Sequence, residues 1–131
     1  MTTDDSRART ALVVDDSRTT RRMLRRHLEG LGYATYEAGN GREGLDLVES
    51  HDGFAIAFCD WVMPVMDGLE FLHHIRASSQ YAEMPIIMIT TEGGRESIRY
   101  ALDSGANGYL VKPFTRTEIH TVLSKAFDPS A

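Results

Sequence analysis

Cysteine is almost missing from this chain: Cys59 is the only one. That excludes an internal disulfide and a zinc cluster, and it fits a reducing compartment. Cys59 lies inside an apolar run and reads as a small packed hydrophobe rather than a reactive thiol. No apolar run is long enough to span a bilayer, and the opening MTTDDSRART has neither the basic flank nor the apolar core of a signal peptide. A cytoplasmic protein with no membrane insertion is therefore expected. Positive charge is also in short supply, with 14 basic against 19 acidic residues and a net charge of −5, which argues against a general nucleic-acid binder. Internal repeats, linkers and low-complexity tracts are absent. The 131 residues suit one compact domain over 9–128, with a flexible segment at 1–8 and a frayed end at 129–131.

What is present is a regular alternation of short β-branched or apolar runs with longer amphipathic segments. This is the pattern of a βα repeat and a mostly parallel sheet. Five strands are expected: Thr10–Val14, Ala34–Ala38, Phe54–Cys59, Pro85–Thr90 and Gly108–Lys112. The first, third and fourth are continuously apolar, as strands covered by helices on both faces should be, so they belong in the middle of the sheet. In the first helix Leu24, Leu28 and Leu31 share a face, Ser17 can cap it, and Gly30 or Gly32 ends it. Later helices are expected over Arg42–Ser50, Gly68–Ser78, Arg95–Ser104 and Thr115–Phe127.

The strand ends carry the chemistry. Asp15 and Asp16 follow the first strand, Asp60 ends the third, Thr90 ends the fourth and Lys112 ends the fifth. In an open parallel sheet all these ends lie on one edge, where ligands bind at the point of strand-order reversal. Three carboxylates gathered there repel one another, each pair by roughly 4 kcal/mol at about 4 Å and an effective dielectric near 20. Lys112 supplies one compensating charge. A hard divalent cation supplies the rest, and Mg²⁺ suits oxygen ligands with positions left for water and phosphate. The expected ligands are Asp16 and Asp60, Asp15 directly or through water, and the main-chain carbonyl of Val62. A carboxylate can also be a nucleophile that becomes an aspartyl-phosphate. Asp60 stands alone at its strand end and is the best-placed acceptor, with Lys112 pairing one phosphoryl oxygen and the Thr90 hydroxyl donating to another.

The segments VVDDS, CDWVMPVMDG, MITTE and GYLVKPF resemble the four signature stretches of bacterial response regulator receiver domains, most closely the stand-alone chemotaxis members. The resemblance runs from about Ala11 to Phe127. It implies a flavodoxin-like α/β fold of five parallel strands in the order 2-1-3-4-5 with five helices. It also implies Mg²⁺, phosphorylation of Asp60 by a sensor histidine kinase or a histidine phosphotransfer protein, and a cis peptide before Pro113. Thr90 and Tyr109 would act as switch residues that alter the face of the fourth helix, fifth strand and fifth helix toward a downstream protein target. The module would be a monomer or weak dimer that catalyses only its own phosphorylation and dephosphorylation. Glu92 resembles an acidic partner usual in the family near the switch threonine. Val62 departs from the chemotaxis pattern, which has Asn there; a valine cannot orient an attacking water, so slow phosphate loss is expected.

Other readings stay in view. The chain could be a phosphorelay intermediate that passes its phosphate to another histidine. A phosphohydrolase working through an aspartyl-phosphate commonly has a second carboxylate two residues after the nucleophile, where Val62 stands here. A dinucleotide-binding domain needs a glycine-rich loop after the first strand, where this chain has DDSRTT. Asp67-Gly68 reads as a turn and helix start with no chemistry. The five arginines Arg18, Arg21, Arg22, Arg25 and Arg26 form either a solvated helix face or a docking surface for an acidic partner. His27, His51, His73, His74 and His120 show no metal-binding spacing.

Overall fold

The computed structural model describes residues 9–91 and 94–127. The terminal segments expected to be loose, and Glu92, lie outside the described residues. In chain order the elements are β1 (Thr10–Val14), α1 (Arg18–Gly30), β2 (Ala34–Ala38), α2 (Gly41–Ser50), β3 (Ile56–Asp60), α3 (Gly68–Ala77), β4 (Ile86–Thr90), α4 (Arg95–Asp103), β5 (Gly108–Val111) and α5 (Arg116–Phe127). All neighbouring strands pair in parallel, in the order β2-β1-β3-β4-β5, giving a flavodoxin-like α/β fold.

Strand alternation sorts the core into two layers. Leu12, Val14, Ala57, Cys59, Ile86 and Met88 face Leu45 and Val48 of α2, Phe71, Leu72 and Ile75 of α3, and Ala101 of α4. Their neighbours Ala11, Val13, Ile56, Phe58, Ile87 and Ile89 face Leu24 and Leu28 of α1 and Ile119 and Leu123 of α5. Two-sided cover is why β1, β3 and β4 are apolar at nearly every position. The Cys59 thiol is completely buried, and burial, with the charges of Asp60, Asp15 and Asp67, pushes its pKa well above the ordinary value.

The helix starts follow local chemistry. The Ser17 hydroxyl accepts from the Thr20 amide at 3.3 Å, Asn40 caps α2, and Asp67 with Glu70 forms a reciprocal capping box at α3. Thr115 and Glu118 exchange bonds in the same way ahead of α5. α1 ends through Leu31 into Gly32, whose φ of +94° lies in the left-handed region that favours glycine. Strand boundaries differ from expectation in β3, β4 and β5: β4 starts at Ile86 rather than Pro85, and β5 ends at Val111, one residue before Lys112. β3 begins at Ile56 because Phe54 leaves the sheet to pack against the rings of Tyr36 and His51, each centred 5.5 Å away. The same strand runs one residue further than expected, so Asp60 is its last residue.

Candidate functional site

Sheet register brings the strand ends together step by step. Val14 pairs with Cys59, so the residues that follow them, Asp15 and Asp60, lie level on adjacent strands. Asp60 pairs with Ile89, one residue before Thr90. Thr90 pairs with Val111, one residue before Lys112. β1 and β3 are also where the strand order reverses, which is where an open α/β sheet forms its binding crevice.

The gathered groups make contact. Lys112 Nζ lies 3.1 Å from Asp15 Oδ2 and 3.3 Å from Asp60 Oδ2. Asp15 is fully buried, Asp60 is 8% exposed and Asp16 faces solvent. Carboxylate oxygens of all three acids lie within 4.8 Å of one another. Asp15 Oδ1 accepts from the Ser17 amide at 2.8 Å, and Arg21 donates to the Asp15 carbonyl at 2.7 Å, which fixes the β1–α1 turn. Burial raises the pKa of Asp60 and the charge of Asp15 raises it further, while Lys112 works against both. Burial alone would lower the pKa of Lys112, but Asp15 and Asp60 outweigh it and hold the ammonium above its ordinary value.

A cavity of about 190 Å³ opens beside Asp60, lined by Trp61, Val62, Thr90, Thr91, Ser97 and Lys112. Thr90 is almost fully buried in its wall and Val62 is largely exposed at it. The Lys112–Pro113 peptide is cis. Tyr109 stands apart from these residues. It is 38% exposed and lines a separate cleft of about 380 Å³ with Leu102, Leu110, Glu118, Val122 and Lys125.

Asp15 Oδ2 shows that this acid cluster fits a hard cation. The oxygen is buried, satisfies no hydrogen-bond geometry among the described residues, and has Lys112 Nζ as its ion-pair partner at 3.1 Å. It therefore keeps a free acceptor site beside two more carboxylates, an all-oxygen donor set of the kind Mg²⁺ takes.

Two features of the site are not visible as sequence motifs. Gly68 was expected only to start a helix, yet a Cβ there would overlap the Asp60 carbonyl oxygen, and its amide donates to the Trp61 carbonyl at 2.9 Å. The missing side chain lets α3 seat directly on the backbone of the acidic strand end. The arginine run on α1 also divides. Arg21 and Arg25 pair with Glu37 at 3.1 and 3.0 Å, and Arg25 with Glu29 at 2.9 Å. Arg18, Arg22 and Arg26 are exposed and make no ion pair among the described residues.

A doubly wound sheet with an acidic cluster at its switch point has the arrangement expected of a receiver module. A dinucleotide-binding protein would present a glycine-rich loop there, and these carboxylates would repel its pyrophosphate. Comparison with known families agrees: the model of the response regulator receiver domain matches residues 11–124, and the chain belongs to that family of signalling switches. Among its relatives, the chemotaxis protein CheY homolog of Campylobacter jejuni is 47% identical over 105 residues, covering 79% of this chain and 81% of the relative. Chemotaxis protein CheY1 of Helicobacter pylori is 45% identical over 105 residues, covering 79% and 85%. The solved structure of the chemotaxis response regulator CheY4 of Vibrio cholerae superposes with a TM-score of 0.83 at 38% identity, covering 89% of this chain and 97% of that one. A response regulator of Chloroflexus aurantiacus gives 0.84 at 30% identity, covering 90% and 96%.

Proposed function

We propose that this response regulator is a phosphorylation-controlled switch of the chemotaxis type, with Asp60 as the phosphate acceptor. A phosphohistidine on a sensor kinase or a histidine phosphotransfer protein is the donor. An Asp60 carboxylate oxygen attacks phosphorus, the donor's N–P bond breaks, and an acyl phosphate forms as the histidine nitrogen keeps the bonding electrons and takes a proton. The observation that carries this reading is Lys112 Nζ lying between Asp15 and Asp60 at 3.1 and 3.3 Å. It is a cation already in place for the charge that arrives on Asp60. Thr90, in the wall of the same cavity, offers a hydroxyl to another phosphoryl oxygen.

Asp15, Asp16 and Asp60, with the Val62 carbonyl, are the residues that would hold Mg²⁺. When bound, the ion neutralises charge on the carboxylates and the phosphoryl oxygens. A dianionic phosphoryl group can draw Thr90 toward it and reorder the neighbouring loop. The cleft beside Tyr109, on the face of α4, β5 and α5, is the surface offered to a downstream protein. Arg18, Arg22 and Arg26, exposed on α1, offer a second surface, to an acidic donor protein. The role is a cytoplasmic one, with no nucleic-acid target.

Intact mass after exposure to acetyl phosphate and Mg²⁺ tests the proposal. One phosphoryl group should be gained by the native chain and none by Asp60→Asn or by metal-free protein. A gain that persists in Asp60→Asn would move the acceptor elsewhere.

A further inference from the structure

Trp61 follows the acceptor position directly and forms part of the cavity wall. Its indole is half-buried and packs against the core layer that contains Cys59 and Met88. The outer side of the ring meets Tyr100 of α4, with ring centres 6.2 Å apart and planes inclined by 21°. That separation and tilt lie within the range of favourable offset stacking.

α4 has few other anchors. Ala101 is its only fully buried residue, and its N-cap, Gly94, makes no side-chain capping bond. Ser97 and Tyr100 are three residues apart and so share a helix face. Ser97 lines the cavity, while Tyr100 lies against Trp61, which lines it too. An exposed tyrosine on a lightly held helix is thus the aromatic contact between that helix and the residue next to Asp60.

We infer that Tyr100 is a positioning residue for phosphoryl transfer at Asp60: its ring fixes the Trp61 indole as a cavity wall and keeps the Ser97 turn of α4 at the rim. The inference rests on the proposed role of Asp60. Without the Tyr100 ring the indole is free to turn outward, and the space in which a small donor must align loses one side. Alignment matters because phosphoryl transfer draws much of its rate from position and charge rather than from covalent help.

The test compares the native chain with Tyr100→Ala and Tyr100→Phe. In metal-free protein, Trp61 emission should shift to the red in Tyr100→Ala and return to the native position in Tyr100→Phe. The second-order rate constant for phosphorylation by acetyl phosphate at saturating Mg²⁺ should fall about threefold or more in Tyr100→Ala, on the scale of a lost aromatic pair, and recover in Tyr100→Phe. The Mg²⁺ concentration at half-saturation should not change, since the carboxylates are untouched. Native emission and rate in Tyr100→Ala would overturn the inference and leave the role of Asp60 standing. So would failure of Tyr100→Phe to restore them, or an altered Mg²⁺ midpoint, which would indicate general loosening. If the native chain itself gains no phosphoryl group, the role of Asp60 fails and this inference fails with it.

Discussion

Asp60 is held in a place that resists its charge. Burial lifts its pKa from 3.8, Asp15 adds to the lift, and Lys112 only partly offsets them. A native pKa above the unfolded one means that, over an interval of pH, the folded protein keeps a proton that the unfolded chain has released. This group's contribution to stability is therefore complete below about pH 3.8 and is lost as pH rises through the higher native value. In metal-free protein Asp60→Asn should melt higher than the native chain at neutral pH, by a few degrees, and the gap should close in acid. An equal or lower melting temperature at neutral pH would contradict this. Val62, two residues on, is 77% exposed and carries no group able to orient water. Phosphate should consequently leave Val62→Asn faster than the native chain, followed as decay of the phosphorylated mass after the donor is removed. That Asp15, Asp16, Asp60, Thr90 and Lys112 come together at one sheet edge was legible in sequence because each ends or follows a strand. Gly68 was not, because its importance lies in the approach of α3 to the Asp60 backbone, which only the tertiary structure reveals.

At the scale of elements, Arg76 near the end of α3 ties together the loops that lead into β4 and β5. It donates to the carbonyls of Gly105, Ala82 and Met84 at 2.9, 3.1 and 2.8 Å, and to Asn107 Oδ1 at 2.8 Å. Asn107 Oδ1 in turn accepts from the Ile86 amide at the start of β4. Burial lowers the Arg76 pKa while Glu83 works to raise it, and the guanidinium's immediate partners are neutral oxygens. Arg76→Ala would strand those acceptors and should cost about 3 kcal/mol in urea unfolding. Arg76→Lys should recover little of it, because an ammonium cannot reproduce the planar fork. α4 stands at the other extreme. With Ala101 alone fully buried, its amides should exchange with solvent earlier than those of β3 and β4 in a hydrogen-exchange time course. The order and type of the elements could be read from periodicity and from apolar runs. The start of β3 could not, since Phe54 is as apolar as the strand it precedes, and only the Tyr36 and His51 rings explain its departure from the sheet. Arg76 likewise looks in sequence like any helix-surface arginine, because its acceptors lie in two separate loops, one directly after α3 and one beyond α4.

For the molecule as a whole, any ligand that binds the folded carboxylate cluster and not the unfolded chain adds stability by mass action. Mg²⁺ at ten times its dissociation constant should add about 1.4 kcal/mol and raise the melting temperature. EDTA should remove that gain, and Asp15→Asn or Asp16→Asn should blunt it. A melting curve indifferent to Mg²⁺ in the native chain would argue against the cluster as a cation site. The register that builds the cluster has one more consequence. Its groups come from Asp15 at one extreme of the chain to Lys112 at the other, and each is placed only when its own strand has docked beside the next. No fragment that ends before β5 can own the site, and none that starts after β1 can either. Acquisition of a phosphoryl group would then be a certificate of completed folding: two halves of the chain severed between α3 and β4 should each be inert, and should become competent together only on reassembling the sheet.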